Sequence, residues 1–233
     1  VLDFTALPTR NKFYAGANGA KIAVIYDGEQ YMLKFPAPAP KNKELSYANS
    51  CISEYIGCHI FNSVGIAAQE TLLGIYRKNG AEKIVVACKD FTSPGIVLQD
   101  FASLKNTVIN SGHSGYGTEL SDITQAMEDQ TAFPPALLKQ HFWDMFIVDA
   151  LIGNFDRHGG NWGFIKRDNK YRIAPVYDNG SSLYPKLNTD DKLEAVLASE
   201  DEINERVFKF PTSHIKVKNR KSSYFEVISS LQF

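Results

Sequence analysis

The sequence predicts an α+β protein: a small β-rich first part carrying one helix, then a mainly helical second part. Three observations lead there. Two pairs of β-rich runs, each pair joined by turn-forming residues, fall before Asp90. A single helical pattern separates the pairs. A long segment opened by Pro134-Pro135 is apolar on nearly every side, the mark of a helix buried in a core.

Taken in order, Lys21 to Tyr26 and Gln30 to Phe35 flank Asp27-Gly28, a dipeptide that supplies the positive φ angles of a tight hairpin. The run Pro36-Ala37-Pro38-Ala39-Pro40 cannot continue a central strand. From about Glu44 to Asn62 the pattern turns helical, with Gly65 beyond its end. At 100° per residue Leu45, Ala48, Ile52, Ile56 and Ile60 form the main apolar stripe, and Tyr47, Cys51, Cys58 and Phe61 form a second with Glu54 in its middle. Thr71 to Tyr76 and Lys83 to Cys88 flank Lys78-Asn79-Gly80 and make a second hairpin.

The signal weakens from Ser93 to Thr131, where Ser111 to Gly117 reads as a loop by composition. The long helix runs to about Ile152 and is expected at the centre of the second part. Trp162 to Ile165 and Tyr171 to Val176 turn at Asp168-Asn169. One acidic surface helix is expected from Asp190 to Arg206, and the basic stretch from Lys216 to Lys221 reads as a solvated face. The division is expected near residue 92, giving parts 1–92 and 93–233.

Composition narrows the function. A net charge of -1 and a pI near 6.6 favour neither a polyanion nor an anionic membrane, so nucleic acid is not the expected partner. Three cysteines without a Cys-x-x-Cys pair argue against a disulfide framework or a zinc site. No apolar run is long enough to span a membrane, and a cytoplasmic setting is expected, with delivery to a host cell left open.

The chemistry concentrates between the long helix and the following hairpin, in Gly153-Asn154-Phe155-Asp156-Arg157-His158-Gly159-Gly160-Asn161, and directly after the hairpin in Val176-Tyr177-Asp178-Asn179-Gly180. Kinase-type sites are assembled in this order. A first Asp orients the acceptor hydroxyl, and an Asn with a second Asp holds the magnesium that bridges the phosphates. Oxygen ligands suit magnesium because it is a hard ion. Turn formation alone also uses Asp, Asn and Gly, but Asp-Arg-His-x-x-Asn arises by chance in a chain of this size with odds on the order of one in a thousand.

The loop Asp156-Arg157-His158-x-x-Asn161 resembles the catalytic loop of phosphatidylinositol-type kinases. With Tyr31-Met32-Leu33-Lys34-Phe35, Ser53-Glu54-Tyr55, Gly153 to Phe164 and Ala174 to Leu183, most of the chain resembles the HipA-like kinases, in particular their shorter branch. The resemblance implies a protein-kinase-like two-lobed fold, ATP as donor, Mg2+, and serine or threonine on a protein as acceptor. It also implies an antitoxin-like or host protein as a further partner. On it, Asp156 is the catalytic acid-base residue, and Asn161 and Asp178 are the metal ligands. Lys34 is the lysine that contacts ATP phosphates.

Glu54, ringed by apolar neighbours, needs a cation, and Lys34 is the expected one. Gly16, Ala17, Asn18, Gly19 and Lys21 resemble the family's phosphate loop, whose small residues let backbone N–H groups approach phosphate. That loop here lacks the family's regulatory serine, which argues against self-inactivating autophosphorylation. His158 is expected to shape the loop, and Arg157 either neutralises charge or braces it. The stretch after Asp178 is short for a helical kinase lobe, so the C-terminal lobe is expected to be incomplete. A lipid or small-molecule kinase, and a nucleotide-binding pseudokinase that acts as a partner-binding module, stay open as alternatives.

Overall fold

The computed structural model describes residues 1–14, 20–36, 49–108 and 118–231. By contacts the chain groups into two units, Val1–Phe91 with Asn179–Leu193, and Thr92–Asp178 with Glu194–Phe233.

The first unit is built on β1 (Leu2–Asp3), β2 (Thr9–Arg10), β3 (Lys21–Tyr26), β4 (Glu29–Lys34), helix α1 (Ser50–Ser63), β5 (Thr71–Lys78) and β6 (Ala81–Lys89). The strands form one sheet in the order β1-β5-β6-β4-β3-β2. Both hairpins close through residues with positive φ, 49° and 77° at Asp27-Gly28 and 53° and 77° at Asn79-Gly80, the geometry that two-residue hairpin turns demand. Alternation then sorts the side chains. Tyr31 and Leu33 join Phe4, Val24, Val85 and Ala87 in a core on one face, while Met32 packs on the other face with Cys51, Val86 and Cys88. Lys34 shares the Met32 face by its spacing of two, and α1 lies there.

Helix α1 buries Cys51, Ser53, Glu54, Gly57, Cys58 and Phe61. This corrects the expectation that the isoleucine stripe would be the main core face, since Ile56 is 38% exposed. The face with Glu54 consists largely of small side chains, which lets the helix lie close against the sheet and bring its carboxylate to β4. Leu45, Tyr47 and Ala48 lie outside the described residues.

The second unit contains β7 (Ile96–Asp100), α2 (Phe101–Val108), α3 (Leu120–Asp129), α4 (Pro135–Ile152), β8 (Gly163–Arg167) and β9 (Lys170–Ile173). Past α5 (Asp190–Leu197) it continues with α6 (Glu200–Phe208), β10 (Thr212–Val217), β11 (Arg220–Ser223) and α7 (Tyr224–Ser230). Strands β7, β8 and β9 form a sheet in that order, and β10 pairs with β11. The β8–β9 turn is the expected Asp168-Asn169, with φ of 48° and 58°. Gly163 is dictated by close approach, because a Cβ there would stand 2.3 Å from the Gln99 carbonyl oxygen.

Helix α4 spans the predicted residues and buries Leu138, Phe142, Met145, Phe146, Val148, Asp149 and Ile152. It is less enclosed than expected, for Leu137, Ile147 and Leu151 are exposed. The stretch read as weak signal holds β7, α2 and α3. The single acidic helix is two, α5 and α6, because the Ser199 hydroxyl accepts the Glu202 N–H and starts a new helix. The basic stretch is the turn end of the β10–β11 hairpin, with Lys218 and Asn219 both at positive φ. Among the described residues no helix is long and apolar enough to cross a membrane.

Candidate active site

In the first unit, Lys34 at the end of β4 faces Glu54 from α1, with Nζ 3.1 Å from Oε2. The carboxylate is 1% exposed and the lysine 15%. A charge this deeply buried is tolerable only with a partner, and the structure supplies the expected one. Cys58 donates its thiol to Glu54 Oε1 at 3.9 Å, and Asn179 donates Nδ2 to the Cys58 sulfur at 3.2 Å. Gly180 leaves the carboxylate its room, since a Cβ there would lie 3.3 Å from Glu54 Oε2. Across the β3–β4 ladder Lys21 is directly opposite Lys34. Of the expected phosphate loop only Lys21 is described; Gly16, Ala17, Asn18 and Gly19 lie outside the described residues.

A second polar knot precedes that loop. Asp90, just past β6, accepts from Lys12 Nζ at 2.6 Å, Tyr14 Oη at 2.6 Å and Gln30 Nε2 at 2.7 Å. Burial, and then the hydrogen bond to the Asp90 carboxylate, push the Tyr14 hydroxyl well above its ordinary pKa. Sequence reasoning did not find this cluster, because nothing in the local spacing relates Tyr14 to Asp90.

In the second unit, α4 ends at Gly153 in the left-handed conformation (φ 63°), the usual way for a helix to stop and let the chain turn. The loop that follows is organised by Arg157. Its Nε and Nη2 bond Asp149 Oδ2 and Oδ1 at 2.8 and 3.1 Å. Its Nη1 donates to the Asn161 carbonyl oxygen at 2.6 Å and to the Tyr177 carbonyl oxygen. Burial opposes the charge, but the Asp149 carboxylate outweighs it and raises the guanidinium pKa. Of the two roles open to Arg157, the structure shows the brace: one side chain ties the last turns of α4, the loop and the residue before Asp178.

Asp149 and Asn154 complete this frame, and neither was singled out from sequence. Asn154 Nδ2 donates to Asp149 Oδ1 at 2.9 Å, and its Oδ1 accepts the Asp156 N–H at 3.1 Å. The Tyr224 hydroxyl bonds the Asn154 carbonyl oxygen. Asp149 carried a signal that could have been read, being an acid inside the otherwise apolar run from Met145 to Ile152 and eight residues before an arginine.

Asp156 itself is one third exposed and faces His214 Nε2 at 3.2 Å through Oδ1. His158 does shape the loop, its Nδ1 accepting the Gly160 N–H at 3.0 Å. Asn161 donates Nδ2 to the Asp156 carbonyl oxygen at 2.9 Å. Its Oδ1 is therefore the atom left to accept a cation. Asp178 is held at φ 62°, an uncommon conformation that Asp tolerates better than most residues. Among the described residues no three His, Cys, Asp or Glu side chains are grouped to hold a metal. An amide oxygen and a carboxylate are nevertheless donors of the kind magnesium takes, since it keeps several waters and draws its remaining ligands from phosphate.

The profile of the HipA-like C-terminal domain matches residues 10–231. The serine/threonine-protein kinase CtkA of Helicobacter pylori strain J99 is 48% identical over 232 residues, which are 98% of this chain and 70% of that protein. The crystal structure of a Helicobacter pylori proinflammatory kinase CtkA has a TM-score of 0.89 to this chain at 47% identity, covering 100% of this chain and 78% of the other.

Proposed function

This chain belongs to the HipA-like C-terminal domain family, and on that premise we propose that it is a protein serine/threonine kinase using ATP and magnesium. The observation that carries the site assignment is the Arg157 brace. A buried guanidinium bonded to an acid and two backbone carbonyls is a costly device for a mere surface turn, and the residues it holds are those carrying Asp156 and Asn161 and leading to Asp178.

Each residue then has a role. Lys34, held by Glu54, and Lys21 beside it offer positive charge to the donor phosphates. Asp156 orients the acceptor hydroxyl and takes its proton as the new phosphorus–oxygen bond forms and the bond to the departing ADP oxygen breaks. Asn161 Oδ1 and the Asp178 carboxylate would hold magnesium, which supplies charge neutralisation across the phosphate oxygens.

Incubation with labelled ATP, magnesium and a serine-containing protein acceptor tests the reading, with lipid and small-molecule acceptors in parallel. Transfer to protein alone is expected. Asp156→Ala should reduce that transfer about 10²- to 10⁴-fold while nucleotide binding persists. Wild-type turnover in this variant would remove Asp156 from the chemistry.

A further inference from the structure

His214 lies far along the chain from the catalytic loop, yet the fold delivers it there on a well-anchored strand. Along β10 burial alternates, with Ser213 and Ile215 inward at 2% and 5% exposure and His214 turned to the other side. The hairpin is pinned at several points. Ser213 Oγ donates to the Ser222 carbonyl oxygen at 3.0 Å. The Glu119 carboxylate accepts the Lys218 and Asn219 N–H groups at 2.8 and 3.0 Å. The Lys216 N–H reaches the Thr118 carbonyl oxygen at 2.8 Å.

So placed, His214 Nε2 stands 3.2 Å from Asp156 Oδ1. An ionised carboxylate only accepts, so Nε2 carries the hydrogen. The His158 ring meets the His214 ring edge to face with centroids 5.6 Å apart, which limits its tilt. Asp156 Oδ2 has no partner among the described residues.

We propose that His214 is a positioning residue for phosphoryl transfer. By donating to Oδ1 it holds the Asp156 carboxylate in one orientation and leaves Oδ2 to receive the acceptor hydroxyl. The inference rests on the kinase reading of Asp156. Its physical basis is that an acid-base group must be held within hydrogen-bond reach of its proton, and that small misplacements there are costly in rate.

The test uses the whole chain with ATP, magnesium and a serine-containing peptide. His214→Ala should lower kcat about 10- to 100-fold, the range for one hydrogen bond to a charged group, with the KM for ATP unchanged. His214→Gln, whose amide N–H can reach a similar position, should recover most of the rate. In an Asp156→Ala background, His214→Ala should cost nothing more, because the group it positions is gone. Equal losses in both backgrounds, or a matching fall in thermal stability that Gln does not reverse, would make His214 a structural residue and overturn the inference. Wild-type kcat in His214→Ala alongside an inactive Asp156→Ala would also overturn it while leaving the kinase reading intact. An active Asp156→Ala would remove both.

Discussion

Arg157→Met leaves Asp149, which is wholly buried, without the guanidinium that bonds both its oxygens. Stranding one charge of a buried pair costs about 3–5 kcal/mol, a large share of the roughly 5–15 kcal/mol that stabilises a domain. At about 1–3 kcal/mol per molar urea, the unfolding midpoint should fall by roughly 1–5 M. Arg157→Met combined with Asp149→Leu removes the stranded charge, so part of this stability should return. The cost that stays is about 1 kcal/mol for each hydrogen bond lost at Asn154 and at the Asn161 and Tyr177 carbonyls.

Phosphoryl transfer should not return with it, because the carbonyls of Asn161 and Tyr177 have still lost their common donor. Urea melts and labelled-phosphate transfer on the two variants separate the quantities. A double variant as labile as the single one would show that shape, not charge, dominates at this position. A stable and fully active double variant would refute the view that the brace positions the loop.

Two further outcomes follow from the paired site residues. Lys34→Ala should raise the KM for ATP and Glu54→Ala should reproduce part of that defect, with the double variant falling short of the sum because the two side chains are in contact; strict additivity would break the functional link between them. In magnesium titrations of ATP binding, Asp178→Asn should abolish the metal-dependent increment and Asn161→Ala should reduce it less, since only the carboxylate both ligates and neutralises the ion. An unchanged increment in Asp178→Asn would exclude Asp178 as a ligand.

Local chemistry explains which parts of the molecule could be read in advance. Asp27-Gly28, Asn79-Gly80 and Asp168-Asn169 mark hairpins because few residues accept the φ angles those turns impose. Helix α4 was legible close to its observed bounds from its apolar run and opening prolines. Glu54 announced its need for a cation by its neighbours alone. What remained hidden was set by partners distant in sequence. Strand β7 is half exposed, and it is a strand because β8 pairs with it. Strand β10 carries an ordinary alternation, Thr212-Ser213-His214-Ile215-Lys216-Val217, that the surrounding lysines masked. Ser199-Glu200-Asp201-Glu202 was a readable start signal for α6. The contact between His214 and Asp156 had no local trace at all, since it depends on where a hairpin docks.

The amide of Asn161 has two ends with different obligations. Its nitrogen clips the Asp156 carbonyl oxygen, and its oxygen is the atom offered to the metal in the proposed mechanism. A carboxylate would bind a divalent ion more strongly, and ligation alone would favour Asp at this position. Aspartate would instead set an oxygen against a carbonyl oxygen, and the loop that presents the acid-base residue would be pushed open by its own ligand. On that mechanism, variation at position 161 is confined from within: the backbone disfavours the stronger ligand, and the side chain that remains would serve as fastener and ligand together.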